Sequence, residues 1–427
     1  MNTVLAIPYG IRLLLLAGLG FLAAGLINLA VYRLAWNKRS ISPWSAPADA
    51  RLRRSWADRI PLVGWWRLRR EATWHSPAFW IRPLAVELLV AATFAGLYAW
   101  EAGARGLYPN VGSLAPAAES FANVDFVLTL HAQYLSHILL ACLMLVASLI
   151  DLDEQTIPDS ITVPGTTLGL ALATVWPWSL LPAAVWLSDG QPMVEFLTFV
   201  SPHPWSVTQA IEPAELVALG LACWTLWCVG LLPRKLAAGR GLGIAWRVFW
   251  RRLARTRFTY EVATLWALGL ILLWALLQWA DPARQAALLT SLVGMAIAGM
   301  IVWTVRVIGR ATLGREAMGF GDVTLLAMIG TFIGWQGSLV VFFLGACLAL
   351  MVGVFRWVLH RHNELPFGPY LCLATAIVVV GWPSLWKGLF EYFDLGWILL
   401  AVLGVCLLLM GVMLWIYAQA RRAWFGL

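Results

Sequence analysis

No C-x-x-C pair occurs in this chain: its six cysteines, Cys142, Cys223, Cys228, Cys347, Cys372 and Cys406, all fall inside apolar runs. That placement argues against a disulfide framework and against a zinc ribbon. Charge is scarce as well. Asp, Glu, Lys and Arg make up 12% of the 427 residues and hydrophobic residues 61%, against roughly 25% and 45–50% in an average soluble domain. Alternation of period two is missing from the apolar runs, which excludes a membrane β-barrel. No small-residue cleavage site follows the first run, Tyr9 to Val31, so that run is expected to stay as an anchor rather than to be removed as a signal peptide.

What is present is a series of apolar runs near the 20-residue length that crosses hydrocarbon. Candidate spans fall at 9–31, 84–100, 127–150, 161–186, 213–232, 262–280, 286–305, 323–337, 338–357, 370–388 and 396–417. The expected fold is therefore an all-α polytopic membrane helix bundle of about 9–11 transmembrane helices. Net charge is +8, concentrated in two places: eleven Lys/Arg against three acids between Arg33 and Arg82, and eight against none between Arg234 and Arg257. The positive-inside rule puts both loops in the cytosol, with the N-terminus outside and Arg421 and Arg422 inside. Contact with anionic lipid is the expected use of these loops; no nucleic-acid-binding module accompanies them. The 27 tryptophans cluster near run ends, as interfacial anchors do.

Two acids stand out under this topology. Asp151 closes the third run as it re-enters the cytosol, and Asp322 opens the eighth as it leaves, so both fall at one membrane face. Ionisable groups at such depth are functional candidates by default. A bland reading is equally available: Asp322, in Gly319-Phe320-Gly321-Asp322, would serve as a helix N-cap, and Asp151 as the first solvated residue after a span. The sharper reading is a dyad, in which one carboxyl keeps its proton while the other acts as a base. Gly319 and Gly321 would let a substrate or partner helix approach the backbone closely.

Several segments, in order, resemble the prepilin peptidases, or type IV leader peptidases, of the G-x-G-D class of intramembrane aspartic proteases. They are NLAVYRL from Asn28, RIPLVGW from Arg59, PLAVELL from Pro83, IDLDEQTIPDSITVP from Ile150, REAMGFGDVTLLAMIG from Arg315 and ELPFGPYL from Glu364. The resemblance covers about 1–178 and 286–385. It implies that Asp151 and Asp322 are the catalytic pair, with Pro158, Gly319, Gly321, Pro366 and Gly368 supporting the motifs. Asp153, Glu154 and Asp159 are then solvated charges or leader contacts rather than catalysts. The implied substrates are type IV prepilin-like or type II secretion pseudopilin precursors, cut at the cytosolic face of the bacterial inner membrane. No cofactor is implied for peptide cleavage.

The chain departs from the pattern in three ways. The zinc-binding cysteines that many members carry in the first cytosolic loop are missing, so no zinc is expected, and the case for S-adenosylmethionine-dependent N-methylation is weakened. Thr324 stands where the second motif usually has lysine; Arg315 is a candidate substitute. Residues 179–285 read as an insertion with about two extra spans. The expected organisation is a two-span region at 1–100 with its basic loop at 33–82, a first-aspartate part at 127–178, that insertion, a G-x-G-D part at 286–388, and a C-terminal helix at 389–427. Two rival readings are an ion-coupled transporter with buried carboxylates, which the lack of an internal repeat disfavours, and an inactive scaffold for pilus assembly.

Overall fold

The computed structural model describes residues 7–39, 41–47, 53–108, 126–186, 192–205, 211–232, 256–314, 318–360 and 366–425. Most of the second basic loop, Arg315, Arg361, His362 and Glu364 lie outside them. The described chain folds into eleven α-helices: α1 Tyr9–Leu34, α2 Val63–Leu68, α3 Ile81–Tyr98, α4 Phe126–Glu154, α5 Asp159–Val175, α6 Pro213–Leu231, α7 Arg257–Trp279, α8 Pro282–Leu313, α9 Phe320–His360, α10 Gly368–Asp394 and α11 Trp397–Phe425. Nine helices among the described residues are long and apolar enough to cross a membrane. The protein is thus an all-α polytopic bundle, with α8 and α9 packed at its centre beside α5 and α10.

The centre is tight because its crossing points lack side chains. A Cβ on Gly294 would strike the Gly330 carbonyl, and one on Gly330 the Gly294 carbonyl, so α8 and α9 touch backbone to backbone. Small residues permit such approach where lipid offers no hydrophobic drive between helices. Gly165 and Gly169 likewise admit Met328 and Thr331 of α9 against α5.

Two expectations are corrected. The run at 161–186 is not one span: the helix stops at Val175, Pro177 opens a single 3-10 turn, and Pro182–Trp186 (β1) pairs antiparallel with Pro192–Phe196 (β2). Trp176-Pro177 and Pro182 supply the physical reason, since proline lacks the N–H that a helix interior needs. The free edge of β1 is covered: the Trp382 and Trp386 indoles donate to the carbonyls of Pro182 (2.7 Å) and Ala184 (3.1 Å). The boundary between the spans at 323–337 and 338–357 moves to Gly334, where φ 71° and ψ 177° break α9 into two arms. Only glycine takes that conformation without strain. The arms run in opposite senses, because Gly321 at the start of the first and Gly368, which follows the second, both lie against Ile157, while Trp335 at the break packs on Phe393 at the far end of α10.

The first basic loop is tied down at the Asp151 end. Arg54 pairs with Glu71, and Asp58, fully buried, takes Arg67 and Arg70 at 2.7 Å each together with the Ser55 N–H. Burial pushes the Asp58 carboxyl up, but the Ser55 N–H and the two guanidinium groups outweigh it and hold the group at about 2.

Candidate active site

Asp151 and Asp322 arrive from helices with no sequence proximity. Asp151 sits one turn before the end of α4, whose run of leucine, alanine and isoleucine faces the core. Asp322 lies in the first turn of α9, where its Oδ2 accepts the Gly319 N–H at 3.2 Å. Gly319 precedes the helix and Asp322 is its third residue, so this is the reciprocal bond of a capping box, and Asp322 is not the N-cap that the bland reading expected. Asp151 and Asp322 are both buried, at 4% and 7% exposure.

The shell between them is built from backbone. Gly368, the first residue of α10, donates its N–H to Asp151 Oδ2 at 3.0 Å. A Cβ at Gly368 would lie 2.6 Å from that oxygen and 3.0 Å from Ile157 Cδ1; one at Gly321 would lie 2.8 Å from Ile157 Cβ and 3.1 Å from its backbone nitrogen. Ile157 therefore touches both glycines and fixes the spacing between the two aspartate-bearing segments. Sequence reasoning missed it, because one apolar residue among many before Pro158 carries no local signal. Pro158 is the N-cap of α5. Pro366 precedes the Phe367 cap of α10, which puts the Pro-Phe-Gly-Pro turn beside Asp151.

Two of the three neighbouring acids have other partners. Asp153 pairs with Arg82 at 2.6 Å, and Arg82 also donates to the Leu149 carbonyl at 2.9 Å. Glu154 accepts the N–H groups of Trp36 and Asn37 at 2.7 and 2.8 Å, fastening the end of α1 to the end of α4. Asp159 is half-buried in the first turn of α5. Thr324 is buried, and its hydroxyl donates back to the Gly321 carbonyl at 3.1 Å. It also lines an apolar groove between α6, α8 and α9; Arg315, the candidate substitute for the usual lysine, lies outside the described residues.

The described residues offer zinc no ligand set: no three His, Cys, Asp or Glu side chains cluster among them, and Asp58 and Glu71 of the first basic loop are engaged by arginines. A separate polar group sits at the other end of the bundle, where buried Glu101 meets His137 Nδ1 at 2.6 Å.

Comparison with known proteins points to one family. The type IV leader peptidase family model matches residues 138–246 and 254–354, which include both aspartates. A prepilin leader peptidase/N-methyltransferase of Aeromonas hydrophila is 34% identical over 89 residues, 20% of this chain and 31% of its own length. The protein of the same name from Pseudomonas putida is 36% identical over 92 residues, with the same coverage of 20% and 31%. Leader peptidase HopD of Escherichia coli is 37% identical over 106 residues, 24% of this chain and 64% of its own length. The alignments thus span about a third of the first two relatives and under two thirds of the third. No solved structure matches.

Proposed function

The chain belongs to the type IV leader peptidase family, and from that premise we propose that it is a membrane aspartic endopeptidase that cleaves leader peptides from type IV prepilin-like or pseudopilin precursors. The observation that carries the proposal is that Ile157, in the segment after Asp151, packs on Gly321 beside Asp322 and on Gly368, whose N–H bonds Asp151, so that two buried acids 171 residues apart share one neighbourhood.

Two carboxyl groups in one buried shell do not readily ionise together, so one holds a proton while the other is a base. The ionised aspartate takes a proton from water as the water attacks the scissile carbonyl. The protonated one hydrogen-bonds the developing oxyanion, and a proton then passes to the leaving amine. The Gly368 N–H orients Asp151 and keeps one of its oxygens engaged. The Gly319 N–H does the same for Asp322. Backbone donors suit this task because they do not titrate and their positions are set by helix starts.

In our reading the two basic loops face the cytosol of a bacterial inner membrane, which puts the aspartate end of the bundle at the cytosolic face. A precursor with a cytosolic leader ahead of an apolar helix would present its scissile bond there. The proposal does not extend to N-methylation, for which the missing first-loop cysteines give no support. Incubating the purified protein in lipid vesicles with a prepilin from the same genome tests it: the leader should be removed, and loss of the Asp322 carboxyl should stop removal.

A further inference from the structure

Beside Thr324, on the face of α9 turned away from Asp151, an apolar groove of about 350 Å³ runs between α6, α8 and α9. Its floor is closed by buried Met295 and Ala327, and its mouth carries exposed Leu226 and Met300. On α8 the groove positions Met295, Gly299 and Trp303 repeat at i+4 and continue at the same helical face to Arg306 and Arg310. One stripe of a single helix therefore passes from apolar floor, through an indole, to two cations. Arg306 is held at the rim: its Nε donates to the Met318 carbonyl at 3.2 Å, and its guanidinium stands 5.7 Å from the centre of the Phe320 ring, which also lines the groove. The sequence after α6, whose last turn forms the other wall, continues at Arg234 and Lys235.

That order of chemistry matches a phospholipid lying along a helix: acyl chain, interfacial aromatic, basic contact to the headgroup. We propose that the groove holds an acyl chain of an anionic phospholipid whose phosphate is taken by Arg306 and Arg310. Charge favours a lipid over an uncharged apolar helix, because the stripe that lines the groove ends at Arg306 and Arg310, which complement a phosphate. The occupant would sit against Phe320 and Thr324, and so against the outer face of the turn that carries Asp322.

Native mass spectrometry of the full chain tests this independently of any peptidase activity. The protein is equilibrated with equal amounts of phosphatidylglycerol and phosphatidylcholine in detergent, and the retained lipids are counted. The wild type should retain phosphatidylglycerol over phosphatidylcholine by roughly tenfold or more. Arg306→Gln with Arg310→Gln should bring the ratio near one. Gly230→Leu should lower retention of both lipids while leaving the fold intact, because a Cβ at Gly230 meets open space. Preference that survives the double arginine variant overturns the proposal. So does lipid retention unchanged by Gly230→Leu, and a raised KM for a precursor in that variant would then identify the groove as a path for the substrate's apolar helix.

Discussion

Gly368 donates its backbone N–H to the Asp151 carboxylate at 3.0 Å across a separation of 217 residues. This bond joins the start of α10 to the end of α4, and it places the Pro-Phe-Gly-Pro turn in the candidate active site rather than merely near it.

Gly368→Ala is expected to damage the site without unfolding the bundle. The added Cβ would fall 2.6 Å from Asp151 Oδ2 and 3.0 Å from Ile157 Cδ1, so the carboxylate must move. Displacements of about 1 Å in a catalytic group commonly cost on the order of 10²-fold in rate. Precursor cleavage should therefore fall by about that factor, with thermal unfolding in detergent little changed. Gly321→Ala meets Ile157 backbone instead of a mobile side chain and should be at least as harmful. Cleavage at the wild-type rate by Gly368→Ala would show that the bond has no part in catalysis.

How far the molecule is legible in its sequence differs from element to element. Long apolar runs such as Tyr9–Leu34 and Gly368–Asp394 announce themselves, because hydrocarbon thickness sets their length. The run at 161–186 misleads, since hydropathy alone does not separate a span from a shorter helix followed by an apolar hairpin; Pro177 and Pro182 carried that information. Asp151 and Asp322 stand out because charge is scarce and both end apolar runs. The Ile157 bridge is not visible in this way: it is a buried apolar residue among many, and its importance arises from two glycines that reach it from distant segments. Pairing across 217 residues leaves no trace in local periodicity.

The first basic loop should respond to acid through Asp58. Its carboxyl is held at about 2, below its ordinary value near 4, so its contribution to loop stability is present above about pH 4 and is lost as pH falls toward 2. Pepsin digestion of the vesicle-bound protein across that window should show cleavage within residues 53–71 rising as pH drops. Asp58→Asn should make the segment susceptible at every pH. Identical digestion profiles for the two proteins would rule out Asp58 as the clamp.

Metal removal should leave cleavage unaffected. The first loop, which contains no cysteine, is held by Arg54–Glu71 and the Asp58–Arg67–Arg70 cluster. Purified protein should carry no stoichiometric zinc by elemental analysis, and chelators should not change its rate on a precursor. One zinc per chain that is lost together with activity would defeat this expectation and direct attention to His75.

The two aspartates should behave as one unit. Asp151→Asn and Asp322→Asn keep size and hydrogen-bonding capacity but remove the ionisable group, so each should lower precursor cleavage by roughly 10³-fold or more, with expression and membrane insertion unchanged. Members of a catalytic unit are strongly non-additive, so the double variant should be scarcely slower than either single one. Asp153→Asn supplies the contrast. Its carboxylate is engaged by Arg82 at 2.6 Å in a partly exposed pair, and such pairs contribute little, so substantial activity should remain. Losses that multiply in the double variant would mean that the aspartates act in separate steps. An Asp322→Asn protein that still cleaves a genuine precursor at the wild-type rate would require replacing the peptidase assignment altogether.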